Sequence, residues 1–311
     1  MSFSKTVKDD LLKKSNPDLL SDKLEIEAML RFGGEVILGN PLRLSFTSSL
    51  MMVVRRFVTL AKKYYPIEYE IESRKIERLD SQSVYTCIVG LGADLIIKDL
   101  NIIGQASSYR EKTLSVEQKT AYLRGAFLVR GTVNDPASKS SHLEISSVNE
   151  GEIVFVQKIM NSLDFNARIS KRKNYLIAYI KAKNTIGTFL YAIGAQASME
   201  YYEDMIITKE IKATALRSVN LDVANQDKTN EASKEQLKYI QFLEYNYPLG
   251  ELDSKLLMVM KVRKDYPEHS LTQLLEIIHE EYDPKLTKSG LNHRFRKLKE
   301  IAVEFKEKHK L

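Results

Sequence analysis

An internal duplication constrains this chain more than any other feature. The segment Leu44-Ser45-Phe46-Thr47-Ser48 resembles Leu143-Glu144-Ile145-Ser146-Ser147. Each alternates like a half-buried strand and ends in serine, a residue suited to capping a helix. Each is followed by an amphipathic stretch (49–64 and 149–163) and then by two strand-like runs rich in tyrosine, isoleucine and charge (67–73 with 84–89, and 168–173 with 175–181). A short helical run closes each half, over 93–101 and 184–193. A helix also precedes each half, over 22–33 and 116–129, and ends in glycine, Gly33-Gly34 in one and Gly131 in the other, as helix C-termini often do. The unit α-β-β-α-β-β-α is therefore expected twice, over about 20–105 and 115–195. Two copies are too few for a solenoid and fit a pseudo-two-fold domain occupying 1–212.

The pattern then changes. Residues 213–230 are polar, lack a clean period and read as a linker with room for part-helical structure, with Asn220, Asn225 and Lys228 in it. From Ser233 onward the spacing is wholly helical: Leu237, Ile240 and Leu243, then Leu256, Val259, Met260 and Arg263 behind an Asp253 or Ser254 cap. Leu271, Leu274, Leu275 and Ile278 mark a third helix, and Leu291, Phe295, Leu298 and Ala302 a fourth. A small all-α domain is expected over 231–311.

Charge and cysteine content narrow the function classes. Lys and Arg exceed Asp and Glu by 47 to 41, a net charge of +6, which only hints at an anionic partner. The one cysteine, Cys87, permits no internal disulfide or multi-thiolate metal centre, and its apolar surroundings fit a core residue better than a nucleophile. Met1-Ser2-Phe3-Ser4-Lys5 shows no apolar signal core, and no apolar run approaches the about 20 residues of a membrane span. A cytoplasmic, nucleoid-associated protein without membrane partners is expected. No GxxxxGK[ST] string is present, and His142, Glu144, His269, His279 and His309 show no ligand spacing, so neither cofactor nor metal is expected.

Ile26-Glu27-Ala28-Met29-Leu30-Arg31-Phe32-Gly33-Gly34 and Leu123-Arg124-Gly125-Ala126-Phe127-Leu128-Val129-Arg130-Gly131 both resemble the LAGLIDADG helix of homing endonucleases, and they open the two halves. The longer string from Ala121 to Leu128, Gly131-Thr132-Val133-Asn134-Asp135-Pro136, His142-Leu143-Glu144-Ile145 and Lys288-Ser289-Gly290-Leu291-Asn292-His293-Arg294 resemble the WhiA family of sporulation transcription regulators. That resemblance implies an α+β fold: a duplicated, saddle-shaped LAGLIDADG-type domain followed by a helix-turn-helix domain. It also implies transcription control linked to sporulation, cell division and chromosome segregation, with promoter DNA as partner and the transcription machinery or another regulator as a further one.

In the nucleases the eighth motif position is an acid, and the two acids hold divalent metals over the scissile phosphates. Here those positions are Gly33, which offers no ligand, and Arg130, which places a permanent charge where a cation would sit. No catalytic residue is therefore expected. Glu35 and Asp135, the nearest acids, read as displaced ligands or, more simply, as a strand-start charge and an Asn-Asp-Pro turn. Ala28 and Gly125, at the small third position, suit close helix packing.

DNA binding is expected in 284–299, which carries Lys285, Lys288, Arg294, Arg296, Lys297 and Lys299 and no acid. With Ser289 as cap, Ser289, His293, Arg296 and Lys297 fall opposite the apolar stripe, flanked by Asn292 and Arg294. Arg296 and Asn292 carry the forks used on guanine and adenine edges, whereas lysines suit phosphates. The plain alternative is a solvated basic face. A second basic run, Arg168, Lys171, Arg172, Lys173 and Lys181 with Tyr175 and Tyr179 interleaved, reads either as an auxiliary DNA contact or as a solvated hairpin edge. Three function classes thus stand: a non-catalytic DNA-binding regulator, a metal-dependent endonuclease, and a protein-interaction scaffold on the transcription machinery.

Overall fold

The duplication is built around two helices buried on most of their surface. In the computed structural model, which describes residues 2–76, 82–104 and 110–309, these are α2 (Leu19–Gly33) and α5 (Val116–Arg130). Neither has the polar stripe of a surface helix: Ile26, Ala28, Met29 and Leu30 on one, and Tyr122, Leu123, Ala126 and Phe127 on the other, are excluded from solvent. They pack against each other more extensively than any other helix pair. Residue 105, the expected limit of the first half, and residues 1 and 310–311 lie outside the described residues.

Each helix runs directly into a four-stranded antiparallel sheet. In the first half β1 (Gly34–Ile37), β2 (Arg43–Ser48), β3 (Tyr69–Ile76) and β4 (Gln82–Val89) lie in the order β1-β2-β4-β3. In the second, β5 (Gly131–Val133), β6 (Leu143–Ser147), β7 (Arg168–Arg172) and β8 (Tyr175–Ile180) lie in the order β5-β6-β8-β7. Even the register repeats: Gly34 pairs with Phe46 and Phe46 with Cys87, as Gly131 pairs with Ile145 and Ile145 with Ala178. Alternate residues of β2 and β6 (Leu44, Phe46, Leu143, Ile145) enter the core, where α3 (Met51–Tyr64) and α6 (Glu150–Ser162) cover them. The short helices α4 (Ala93–Asp99) and α7 (Lys183–Ile193) complete the halves.

The motif helices end on Gly34 and Gly131, whose φ of −99° and −79° show that neither is a left-handed cap. Close packing falls at the small third position, as its sequence suggests: a Cβ on Gly125 would lie 2.5 Å from the carbonyl oxygen of Glu25 and 2.9 Å from Cβ of Ala28. One helix had no forecast in the sequence, α1 (Phe3–Leu11). It places Phe3, Val7 and Leu11, spaced i, i+4, i+8, in the core, and Ser4 Oγ both donates to Val133 O (2.8 Å) and accepts from Val133 N (2.9 Å).

The α2–α5 crossing also buries charge. Glu25 is fully excluded from solvent and accepts from Arg56 Nε (2.9 Å), Arg124 Nη1 (3.2 Å) and Asn16 Nδ2 (2.7 Å). Near the other end Arg31 donates to Glu27 (2.9 Å) and Glu152 (3.0 Å), and Glu152 accepts from Tyr122 OH (3.0 Å). Burial raises the Glu152 carboxyl above its ordinary range, although Arg31 opposes that shift.

The chain divides into two units, Met1–Glu210 and Ile211–Leu311. The linker expected over 213–230 is instead helical: α8 runs unbroken from Gln196 to Asn246. Its sequence contains neither glycine nor proline, and alanine and leucine among the polar residues sustain the helix. Asn220, Asn225 and Lys228 lie exposed on it. The second unit packs Ile240 and Leu243 of α8 with α9 (Ser254–Asp265), α10 (Leu271–Glu281) and α11 (Lys288–His309) around Val259, Leu274, Ile278, Leu291, Phe295 and Leu298. Asp253 caps α9, and Ser270 with Gln273 forms a capping box on α10. Among the described residues, no helix is long and apolar enough to cross a membrane.

Candidate nucleic-acid interface

The pair α10–α11 is joined by a connection held from several directions. His279 Nε2 lies 2.6 Å from Leu286 O, Leu286 is buried, and the Asp283 carboxylate accepts from Lys285 N (3.1 Å) and Arg294 Nη2 (3.4 Å). Leu291, Phe295 and Leu298 anchor one side of α11, with the Arg263 guanidinium 5.5 Å above the Phe295 ring. Arg263 itself is buried, forms no ion pair among the described residues and donates to His269 O (2.6 Å). Burial brings its pKa down to about 10, with Tyr239 opposing.

The opposite side of α11 exposes Ser289, Asn292, His293, Arg296 and Lys297, with Lys288 exposed at its first position and Lys285 just before it. Three of the predicted residues have local tasks. Ser289 is not the cap: Thr287 Oγ1 accepts from Gly290 N (3.1 Å), which places Ser289 inside the first turn. Arg294 is half-buried and bound to Asp283, so it braces the turn. Lys288 Nζ donates to Thr272 Oγ1 of α10 (2.9 Å). Lys299 pairs with Glu235. The side chains of Lys285, Asn292, His293, Arg296 and Lys297 make no hydrogen bond or ion pair among the described residues, so they are available to a ligand. His279, which pins the turn, had no ligand or cap spacing to mark it in the sequence.

The basic hairpin proves less uniformly basic than its sequence. Strand pairing sets Arg168 beside Tyr179 and Tyr179 beside Glu144. Glu144, on β6, lies 3.3 Å from Arg172 and 2.7 Å from His142, whose ring stacks on Tyr179. Lys171 occupies the other sheet face from Arg168 and Arg172, Lys173 takes the hairpin turn with φ 49°, and Lys181 Nζ sits 5.3 Å over the Tyr179 ring. The equivalent positions of the first half, by register, are Glu70 for Arg168 and Glu72 for Ser170. Arg74 stands for Arg172, so among the described residues the first half mixes two acids with a cation on the face where the second half carries Arg168 and Arg172.

Between the motif-helix ends is a cleft of about 800 Å³ lined by Arg31, Gly33, Glu35, Arg130, Ser146 and Tyr175, among others. Arg130 Nε donates to Phe32 O (3.0 Å) across the two halves. A Cβ at Gly33 would lie 2.8 Å from Val129 Cγ1 and 3.0 Å from Thr47 O, so a side chain there would be crowded by the Val129 methyl and the Thr47 carbonyl. Among the described residues Glu35 is the one carboxylate on the cleft wall; Asp135 caps its own turn through Ala137 N (2.8 Å) and does not line it. Two arginines and one carboxylate do not fit the divalent metals of the nucleases. Among the described residues no group of three or more His, Cys, Asp or Glu is placed to hold a metal ion.

Family models match three successive stretches: the WhiA N-terminal LAGLIDADG-like domain at 21–103, the WhiA LAGLIDADG-like domain at 119–212 and the WhiA C-terminal HTH domain at 215–302. The chain is 35% identical over 314 residues to the "Probable cell division protein WhiA" of Halalkalibacterium halodurans, covering 98% of this chain and 97% of that protein. It is 35% identical over 293 residues to the protein of the same name from Enterococcus faecalis, covering 92% and 93%. The structure described as full-length DUF199/WhiA from Thermatoga maritima superposes with a TM-score of 0.61 at 23% identity, covering 98% of this chain and 99% of that one. With this identity sustained along nearly its whole length and both parts of the architecture present in order, the chain belongs to the WhiA family.

Proposed function

We propose that this chain is a non-catalytic, DNA-binding transcriptional regulator that reads promoter DNA with α11 and serves cell division, with sporulation-type control and chromosome segregation in the same remit. The domain limits 1–212 and 231–311 are part of that reading, as is a cytoplasmic, nucleoid-associated location. The observation that carries it is the outward row Ser289, Asn292, His293, Arg296 and Lys297 on a helix whose other side is core and whose preceding turn is pinned. A helix so held can lie in a major groove, with Arg296 and Asn292 toward base edges and Lys285 toward a phosphate. The basic hairpin adds an auxiliary phosphate contact. The family name borne by its relatives, a probable cell division protein, supports the cellular role. The crowded Gly33 and the Arg130 charge argue against the endonuclease.

A second reading, a scaffold for the transcription machinery or another regulator, draws on the exposed Leu216, Val219 and Val223 of α8, which share one helix face. Genome-wide crosslinking of the full chain separates the two. A defined motif bound directly in vitro supports the regulator; promoter occupancy without sequence-specific binding by the purified protein supports the scaffold. On a mapped site, Arg296→Ala costs specific binding about 1–3 kcal/mol and relaxes one base preference, whereas Lys285→Ala weakens all sequences alike and lowers the salt slope by about one unit or less. Equal cognate-to-scrambled ratios for both variants and the parent would refute that division of labour.

A further inference from the structure

Residues 211–228 of α8 are exposed at every position, so this stretch of helix meets solvent on all sides. Among the described residues it makes no ion pair; the nearest, Lys183 with Glu210, stops short of it. A helix with neither cover nor i, i+4 charge pairs is marginal in water, since most helical stability comes from packing an apolar face. The stretch does carry such a face: Leu216, Val219 and Val223 are 62%, 57% and 54% exposed. At about 100° per residue these three fall within about 60° of one another, and the same line continues through Lys212 on one side and Gln226 and Asn230 on the other. The steps along 212, 216, 219, 223, 226 and 230 alternate between four and three, the spacing of a coiled-coil seam. Ile211 and Leu221, each 65% exposed, point away from that line.

The order of charges selects what covers the seam. Residues 211–227 hold two cations followed by two acids: Lys212 and Arg217, then Asp222 and Asp227. A second copy laid parallel would set Lys212 against Lys212 within the seam and like charges beside one another along its length. A copy laid antiparallel brings the cationic end of each helix against the acidic end of the other. Val219 then lies opposite Val223 of the second copy, twice over by the two-fold axis, and Leu216 opposite Gln226. Lys212 comes beside Asp227, while Arg217 and Asp222 stay off the seam. Self-complementarity of this kind is what an isologous pair requires.

We propose that the chain forms an antiparallel homodimer through residues 212–230 of α8. The inference goes beyond DNA binding by α11 and does not depend on it; it assigns to a second copy the face that the scaffold reading leaves to another protein. With three apolar side chains per copy in the seam, pairing is weak and depends on concentration. Sedimentation equilibrium of the full chain without DNA, over about 5–300 µM, reads it directly.

The average mass rises from one chain toward two across that range. Val219→Glu, an exposed change that keeps helix propensity, raises the dissociation constant about tenfold or more. Leu221→Glu makes the same change off the seam and leaves the constant as it was, with circular dichroism confirming that both variants keep their helix content. Mixing Val219→Glu with Val223→Lys restores association, because antiparallel pairing sets the new acid against the new cation and leaves the other Val219–Val223 layer intact. A chain that stays monomeric throughout, or a dimer that Val219→Glu leaves unaltered, overturns the proposal without touching DNA binding by α11. Equal loss from Leu221→Glu overturns the seam, and variants that fail to associate when mixed overturn the antiparallel orientation.

Discussion

Gly125→Ala tests the claim that the motif helices now serve as a packing interface. The added Cβ would stand 2.5 Å from Glu25 O and 2.9 Å from Ala28 Cβ. The first neighbour is helix backbone, so relief requires α2 and α5 to move apart, and Arg124 with Glu25, a buried pair at 3.2 Å, must lengthen as they do. Overpacking of this kind costs about 1–3 kcal/mol, toward the upper end where backbone is the obstacle. Alanine returns about 1 kcal/mol through helix propensity, leaving a net loss of about 1–2 kcal/mol. Urea unfolding followed by circular dichroism measures it, with the transition of the N-terminal unit fitted separately and its slope compared with the parent's. Gly250→Ala is the control, because a Cβ there meets no atom within 4 Å. A Gly125→Ala protein as stable as the parent, or more so, would refute the argument that closeness rather than ancestry keeps glycine at this position.

Three further outcomes follow from the same geometry. Gly33→Asp with Arg130→Asp, which returns carboxylates to both motif positions, yields no specific cleavage in a magnesium-dependent plasmid assay, because Cβ of residue 33 meets Val129 Cγ1 at 2.8 Å; site-specific cutting would overturn this. Glu25→Leu leaves Arg56 and Arg124 without their shared carboxylate and lowers stability by about 3–5 kcal/mol, part of which returns when Arg124→Leu is added in a double-mutant cycle. Lys8 has its folded pKa lowered to about 8 from 10.5, so the unfolded chain binds the extra proton between those values. Stability referred to Lys8→Met therefore rises as pH climbs through that window, by at most roughly 3 kcal/mol, and a pH-independent difference between the two proteins would count against the placement of Lys8.

Much of the fold was legible because its signals are local. The two motif strings, the alternation in β2 and β6, and the i, i+3, i+4 spacing of α10 and α11 all follow from which side of an element faces a core. The absence of acids at Gly33 and Arg130 was equally plain. Less legible was α8, where polar residues without a clear period read as a linker although nothing in their sequence breaks a helix. The helix α1 rests on three apolar residues among charges, too short a pattern to stand out without the surface they cover.

What the tertiary structure alone decided is how charges are spent. Arg168 to Lys183 contains no acid in sequence, yet pairing of β6 with β8 and of β8 with β7 brings Glu144 to Arg172. Arg294 and Lys288 belong to a basic run by sequence and to a braced turn by contact, while Arg296 and Lys297 stay free. Lys8 is an ordinary lysine in the sequence and, among the described residues, an unpaired and partly buried one in the fold. Periodicity depends on neighbours within one element, so the sequence carries it; a charge's availability depends on solvent and on counter-charges brought close by strands and helices remote in the chain, so only the folded arrangement sets it.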